Sequence, residues 1–139
     1  MSQAQSSPRP EAAAALRYRR FWLGLGWLLL VTILYLALKP MPNVAIVEIW
    51  SDKVWHGLVF GALMIWFAGV YPQSQFGRLF LLLLCYGVLI EILQSFTPNR
   101  HVEAADVLAN VTGAVAGWLL ARAGLARWCL WLENRVLRR

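Results

Sequence analysis

Four apolar stretches of similar length restrict what this chain can fold into. They span residues 21–38, 54–71, 79–96 and 104–121, and each contains eighteen residues. As an α-helix, each would be about 27 Å long, which is close to the ~30 Å hydrocarbon core of a bilayer. We therefore predict an all-α membrane protein with four transmembrane helices at about these positions.

The composition also indicates a membrane protein. Hydrophobic residues make up 60% of the chain and charged residues 14%, whereas soluble domains are nearer half apolar and a quarter charged. The net charge of +6 does not indicate a nucleic-acid partner, because the basic residues flank the apolar stretches. Cys85 lies within an apolar stretch and Cys129 lies in a segment that we place in the reducing cytoplasm, so no disulfide is predicted.

The segments outside the four helices differ in character. Residues 1–20 are small and polar, then basic, and we predict that they are disordered. We expect the first apolar stretch to be an uncleaved helix, because it is longer than the apolar core of a signal peptide and no clear A-x-A cleavage site precedes Lys39. Residues 21–123 form the predicted membrane domain. Residues 124–139 form a basic tail with an amphipathic helix at about 125–137, lying on the membrane surface or, as the alternative, in the cytoplasm without contact with lipid.

The distribution of basic residues predicts the orientation in the membrane. With four spans both termini lie on one side, and ten of the thirteen Lys and Arg residues fall on that side. Cytoplasmic segments carry the excess of Lys and Arg in membrane proteins. We therefore predict that both termini are cytoplasmic. The three basic residues on the outer side are Lys39, Lys53 and Arg100.

The polar residues within the apolar stretches lie near one face of the predicted membrane. His56, Glu91, Asp106 and Asn110 are three to seven residues from the outer boundary, or within about 10 Å at ~1.5 Å per residue. The inner halves of the last three stretches contain no Asp, Glu, Lys, Arg or His. A transporter needs polar groups near the midplane and a path to both faces. The pattern therefore favours a pocket open to the outside over a transport path.

Helical spacing predicts which residues face the interior of the bundle. Asp106, Asn110, Gly113 and Gly117 are separated by four, three and four positions, so they share one helix face. The two glycines have the G-x-x-x-G spacing that lets helices approach closely. Similar stripes on the second and third helices complete a bundle whose outer end is lined by polar residues. The predicted ligand-binding residues are Asp52, Lys53, His56, Glu91, Gln94, Arg100, Asp106 and Asn110.

These residues also have structural explanations. Asp106 lies in the first turn of a helix, where a carboxylate offsets the helix dipole, and Gln94 and Asn110 could simply join helices by hydrogen bonds. The long side chain of Lys53 could simply carry its ammonium group to the membrane–water interface. Glu91 is the hardest to explain in this way, because a carboxylate one to two turns inside lipid must be protonated or paired with a cation.

The chemistry available to this set is limited. His56 with Asp52 or Glu91 could act as a general base, and the two cations of the set could hold a phosphate or a carboxylate. His56, Glu91 and Asp106 could hold a metal, but no H-E-x-x-H or similar ligand spacing is present, so no metal or cofactor is predicted. No Ser or Cys nucleophile motif is visible. Catalysis stays an open question, with His56, Glu91 and Asp106 as the candidate residues.

The outer residues resemble a known family. The resemblance is to the VanZ-like family of small bacterial membrane proteins, over about residues 34–121, and it rests on DKVWHGLVFGAL at 52–63 and YGVLIEILQSFTPNRHVEAADVLANVTGAVAG at 86–117. It implies a bacterial inner (cytoplasmic) membrane and a role in the envelope, since the family is named for a protein associated with low-level teicoplanin resistance. It supplies no reaction. The residues that meet the family pattern are Asp52, Lys53, His56, Glu91, Gln94, Arg100, Asp106, Asn110 and Gly113.

Two functions are therefore expected. In the first, the outer pocket binds, and could modify, an amphiphilic envelope molecule such as a lipid-linked or glycopeptide ligand. In the second, the polar residues only fix helix packing, and the protein is a structural or partner-binding unit of the membrane. The pattern does not specify an oligomeric state.

Overall fold

A computed structural model of the chain describes residues 16–39, 47–97 and 103–136, with the backbone alone at 47–52. Most of the segment predicted to be disordered, residues 1–15, lies outside these ranges. Arg100 also lies outside them, as does the side chain of Asp52.

Every regular element among the described residues is helical, which confirms the all-α prediction. Two single 3₁₀ turns, Gln73–Gln75 and Leu125–Arg127, precede the third and fifth α-helices. The five α-helices are α1 (Arg19–Ala37), α2 (Val47–Ala68), α3 (Phe76–Gln94), α4 (Ala104–Arg122) and α5 (Trp128–Val136).

The start of α2 differs most from the prediction. The helix was expected to begin at residue 54, where the uninterrupted apolar stretch starts, but it begins at Val47. Residues 47–50 read VEIW and contain neither proline nor glycine, so nothing in them stops a helix. Hydropathy marks where a helix becomes apolar, and this can lie a turn or two after the point where the helix begins.

Three helices among the described residues are long and apolar enough to cross a membrane. They are α1, α4 and the unit formed by α3 and the turn before it, Gln73–Gln94. The stretch Lys53–Ala68 of α2 is apolar but shorter. Much of the apolar surface of α1 is exposed, including Trp27 and Val31, which is compatible with contact with lipid.

Interhelical contacts fix the directions of the helices. The Arg19 Nε atom donates to the carbonyl oxygen of Val70 at 3.4 Å, so the start of α1 lies beside the end of α2. The Gln94 Nε2 atom donates to the carbonyl oxygen of Ala37 at 2.9 Å, so α3 ends beside the end of α1. Both α1 and α3 are therefore antiparallel to α2. We call the end where Gln94 meets Ala37 the polar end, and the end where Arg19 meets Val70 the tail end.

The most extensive helix interface joins α2 to α4, which run parallel. The two G-x-x-x-G pairs form this interface, with Gly57 against Gly113 and Gly61 against Gly117. A side chain at Gly113 would overlap the Gly57 carbonyl group, and one at Gly117 would overlap that of Gly61. The close approach of the two backbones places the polar residues at the starts of α2 and α4 next to each other.

A hydrophobic core fills the space between α2, α3 and α4 below the polar end. Its main members from α2 are Phe60, Met64 and Phe67, and α3 adds Phe76 and Leu83. Small residues of α4, including Ala114 and Ala121, complete it. The core holds the three helices in fixed positions, so the side chains above it are held by a rigid support.

The tail folds back onto the tail end. The Glu133 carboxylate of α5 is 6% exposed and accepts hydrogen bonds from the backbone N–H groups of Arg17 and Tyr18 and from Trp22 Nε1, at 2.8, 3.0 and 2.8 Å. Cys129 is fully buried against Trp22 and Val70. The predicted helix exists, but part of its apolar face packs on the bundle. Its location at the membrane surface stays a prediction.

Candidate functional site

Three helices each contribute one titratable side chain to a cluster at the polar end. His56 comes from α2, Glu91 from α3 and Asp106 from α4, and one nitrogen or oxygen atom of each lies within 4.8 Å of the other two. Glu91 is 2% exposed and Asp106 8% exposed. Carboxylates this deeply buried cost free energy unless charges or hydrogen bonds compensate them. We refer to these three residues as the polar triad.

Lys53 provides a positive charge beside the triad. Its ammonium group donates to Asp106 Oδ1 at 3.0 Å and to Glu103 Oε2 at 2.8 Å. The Asp106 side chain is 11% exposed and the Glu103 side chain 54% exposed, so one ion pair is largely shielded from water and the other is open to it. Lys53 thus joins the start of α2 to the start of α4.

His56 lies between α3 and α4. Its Nδ1 atom is 3.2 Å from Asn110 Oδ1 and 3.9 Å from Glu91 Oε1. An amide oxygen only accepts hydrogen bonds, so Nδ1 is the donor in the contact with Asn110. Asn110 is 1% exposed, and its Nδ2 atom has no hydrogen-bond acceptor within the described part of the chain.

Small residues create the space for this arrangement. A β-carbon at Gly87 would lie 3.0 Å from Asn110 Nδ2 and 3.1 Å from the Phe60 ring. Gly87 and Glu91 are one turn apart on α3, so the glycine admits the Asn110 amide directly below the Glu91 carboxylate. The stripe of polar residues above glycines predicted from the spacing is present on both α3 and α4.

The structure separates the eight predicted site residues into three groups. Lys53, His56, Glu91, Asp106 and Asn110 meet at the polar end, and their role in binding a ligand stays a prediction. The amide nitrogen of Gln94 is directed instead to the last residue of α1, where it satisfies a carbonyl group that has no partner within its own helix. Asp52 and Arg100 form the third group, whose side chains lie outside the described residues.

The prediction from sequence missed one polar residue at this end. Glu103, at the N-cap position of α4, shares Lys53 with Asp106. Three positions separate the two acidic residues, which is the spacing of neighbours on one helix face. That spacing is a signal for Glu103 in the sequence, although the residue lies just outside the predicted helix at 104–121.

Two apolar cavities adjoin the polar residues. A groove of about 670 Å³ begins at Lys53 and follows the outside of the interface between α2 and α4, where its lining includes Leu58, Ala62, Thr112, Ala116 and Leu120. A smaller cavity of about 180 Å³ lies between α1 and α2 and reaches His56 past Leu36, Trp55 and Val59. The polar end therefore joins hydrogen-bonding groups to apolar space.

The fold and the polar end define a helical membrane protein with buried titratable groups near one end of its bundle. A family model described as VanZ/LLP1 matches residues 18–127. The chain belongs to the VanZ/LLP1 family, which confirms the resemblance found in the sequence. Searches of curated proteins and of solved structures found no match.

Proposed function

We propose that this protein crosses a bacterial inner (cytoplasmic) membrane four times and binds an amphiphilic envelope molecule at its polar end, on the outer side. The polar triad, Lys53 and Asn110 would contact the polar group of the ligand. The groove between α2 and α4 would hold its apolar chain. The ligand chemistry would be that of a glycolipid or a lipid-linked sugar, and the same contacts could bind a glycopeptide with a lipid chain.

Two observations support the four-span topology. First, α2 is the partner of every other long helix, so a bundle in which α1, α3 and α4 cross the bilayer carries α2 across with them. Second, α2 is antiparallel to α1 and α3 and parallel to α4, as four consecutive spans require. The excess of basic residues beside the tail end favours a cytoplasmic location for that end.

The groove that begins at Lys53 carries the proposal. Its volume of about 670 Å³ falls within the ~300–1,000 Å³ of small-molecule sites, and its lining is almost entirely apolar. At the polar end of the bundle, Lys53 lines the groove and can donate hydrogen bonds to sugar hydroxyl groups. The two carboxylates that contact Lys53, those of Asp106 and Glu103, can accept them. A ligand with one apolar chain and a hydroxyl-rich head would match both parts.

A substitution that fills the groove tests the proposal. Ala116 is exposed and lines the groove, so Ala116→Phe would fill it without touching a polar residue. Val115, its neighbour on α4, is 41% exposed and is not part of the groove lining, so Val115→Phe is the matched control. Binding would be measured in nanodiscs with a fluorescent glucosyl diacylglycerol, and fluorescent phosphatidylcholine would report non-specific uptake.

We expect wild type and Val115→Phe to bind the glucosyl lipid at least tenfold more tightly than Ala116→Phe. We also expect Glu91→Gln and Lys53→Met to weaken its binding while leaving phosphatidylcholine uptake unchanged. Equal binding of the two lipids by wild type, or equal binding of the glucosyl lipid by the two phenylalanine variants, would rule the proposal out.

A second candidate function follows from the position of the polar contacts. The Lys53–Asp106 and His56–Asn110 pairs join α2 to α4 directly above the glycine interface, where hydrogen bonds also stabilise the packing of two membrane helices. In this case the polar end is structural. Substitution of its residues would lower the stability and abundance of the protein, and any loss of function would be in proportion to those losses. Thermal unfolding of the variants used in the lipid measurement separates the two functions.

A further inference from the structure

We propose that the polar triad is a binding site for a first-row divalent metal ion, with Zn²⁺ or Mn²⁺ as the expected ion. His56, Glu91 and Asp106 would be its protein ligands. The proposal goes beyond the binding of an amphiphile and does not depend on it, because the apolar groove takes no part in holding the ion.

The geometry of the triad supports this assignment. Its three donor atoms are no more than 4.8 Å apart. For three atoms at such separations, there is always a central point that lies within about 2.8 Å of all of them. Shifts of about 0.7 Å would therefore bring all three atoms to the ~2.1 Å of a zinc–ligand bond. Small rotations of side chains on three fixed helices are enough for that change, so the backbone need not move.

Asn110 is placed to be a fourth ligand. Its Oδ1 atom is 3.2 Å from His56 Nδ1, and neighbouring donor atoms around an ion with bonds of ~2.1 Å are about 3.0–3.4 Å apart. A metal ion on Nδ1 would replace the proton that Nδ1 now shares with that oxygen. Asn110 Oδ1 would then contact the ion, and the amide would keep its present position.

The donor types indicate which ion fits. One imidazole with carboxylate and amide oxygens suits Zn²⁺ or Mn²⁺, whereas sites for Ca²⁺ and Mg²⁺ are built from oxygen atoms alone. None of these four ligands is a thiol, which disfavours Cu⁺. The hydrogen bond from Lys53 to Asp106 Oδ1 leaves the other carboxylate oxygen for the metal. Lys53 would then orient a ligand from outside the coordination sphere.

The ligands come from three helices and from distant parts of the sequence. They are 35 and 15 positions apart, so no short motif records them, and the absence of an H-E-x-x-H pattern is not informative about a site of this kind. The high burial of the two carboxylates favours an ion further, because a divalent cation would stabilise both negative charges in a low-dielectric environment.

Metal titration of the purified full-length protein tests the proposal. Protein stripped with a chelator in detergent would be titrated with Zn²⁺ by calorimetry and with Co²⁺ by visible absorption, and Mg²⁺ would be the comparison ion. We expect one Zn²⁺ per chain, a Co²⁺ ligand-field band, and at least tenfold weaker binding of Mg²⁺. Glu91→Gln and Asp106→Asn should weaken Zn²⁺ binding at least tenfold. Glu11→Gln, which changes a carboxylate in the N-terminal segment 1–20, should leave it within twofold of wild type.

His56→Ala keeps the test decisive if a carboxylate variant does not fold. The His56 side chain is 15% exposed, which is more than either carboxylate, and it supplies the one nitrogen ligand. Its Co²⁺ band should disappear, and X-ray absorption of the Zn²⁺-loaded wild type should show one imidazole among oxygen ligands. Wild type without stoichiometric Zn²⁺ or Co²⁺ binding would overturn the proposal. Equal Zn²⁺ affinity of wild type and His56→Ala, or equal losses in Glu11→Gln and Glu91→Gln, would also overturn it, since carboxylates outside the triad would then explain the binding.

Discussion

The carbonyl group of Gly57 occupies the space that a side chain at Gly113 would need. The two residues belong to parallel helices: Gly57 directly follows His56, and Gly113 lies one turn after Asn110, so the glycines adjoin the contact between His56 and Asn110. Backbone contact at the glycines therefore sets the distance between α2 and α4 at the polar end. Any residue larger than glycine at position 113 must push these helices apart, and the polar contacts above must lengthen with them.

Gly113→Ala is expected to destabilise the protein. The added methyl group meets backbone atoms that cannot rotate away, and overpacking of this kind costs about 1–3 kcal/mol. Thermal unfolding in detergent measures the effect. Gly24→Ala is the matched control, because a β-carbon at Gly24 in α1 has no atom within 4 Å and alanine favours a helix. Equal melting temperatures for the two variants would contradict the close approach of α2 and α4.

Lys53→Met is expected to cost more stability than Asp106→Asn. Lys53 lies between two carboxylates, so its loss brings Glu103 and Asp106 together without the ammonium group that attracts both. Loss of the Asp106 charge leaves Lys53 with Glu103. We expect about 2 kcal/mol for Lys53→Met and about 1 kcal/mol for Asp106→Asn, and the double variant should cost less than the sum. If the losses of stability in the two single variants add up to the loss in the double variant, Lys53 and Asp106 do not interact.

Glu133→Ala is expected to release the tail from the bundle. The substitution leaves two backbone N–H groups and the Trp22 indole without the carboxylate that accepts from them, and we expect a loss of about 3 kcal/mol. Trypsin should then cleave after the exposed Arg127 much faster than in wild type. Glu133→Gln keeps one acceptor oxygen and should lose less. Asn134→Ala, at the exposed neighbour, should match wild type, and fast cleavage of that variant would contradict the role of Glu133.

The sequence predicts the parts of this fold that depend on local patterns. The apolar stretches locate α1, α3 and α4 within about three residues because burial in lipid or protein requires an apolar helix of this length. The spacing of Gly113, Gly117 and Asn110 predicts the face of α4 that packs on α2, because three or four positions make one turn. The sequence also predicts which polar residues meet at one end of the bundle, because each lies near the outer end of its own predicted helix. These residues are Lys53, His56, Glu91, Asp106 and Asn110.

Contacts between distant residues could not be predicted in the same way. Gln94 has the spacing of a pocket residue, but it satisfies the carbonyl of Ala37 because α1 ends beside it, and the position of α1 depends on tertiary packing. Glu133 contacts residues more than 100 positions away. From hydropathy alone, a charged residue of an amphipathic helix is expected to face solvent. Glu133 is buried because the tail folds back onto the bundle, and this is a tertiary contact that the sequence pattern does not contain.

Cys129 is expected to resist alkylation in the folded protein. Burial, with a smaller effect from the nearby Glu133 carboxylate, raises the pKa of its thiol from 9.0 to about 12. The thiol therefore stays protonated at pH 8–9, and the thiolate is the reactive form. N-ethylmaleimide should modify Cys129 quickly only after denaturation in dodecyl sulfate, as measured by mass spectrometry of peptides. Modification of native wild type as fast as of denatured protein would contradict the burial of this residue.

The same pKa shift predicts how stability changes with pH. The unfolded chain loses the thiol proton near pH 9.0, whereas the folded chain keeps it to about pH 12. The contribution of Cys129 to stability is therefore complete below pH 9 and is lost as the pH rises from 9 to 12, by up to ~1.4 kcal/mol per pH unit. Unfolding of wild type and Cys129→Ala should be compared at pH 8 and pH 10.5, because other groups that titrate there cancel in the difference. A constant difference between the two proteins would contradict the shift.

Cysteine labelling is expected to place the two ends of the bundle on opposite sides of the membrane. Lys39 follows α1, Ser74 lies between α2 and α3, and Thr97 follows α3. If α2 and α3 both cross, then Lys39→Cys and Thr97→Cys react with an impermeant maleimide in intact cells, and Ser74→Cys reacts only after permeabilisation. Cys85→Ala and Cys129→Ala provide the background without native thiols. Labelling of Ser74→Cys together with Lys39→Cys in intact cells would show that α2 does not cross. Labelling of Ser74→Cys alone would show the opposite orientation and place the polar end in the cytoplasm, where no outer ligand could reach it.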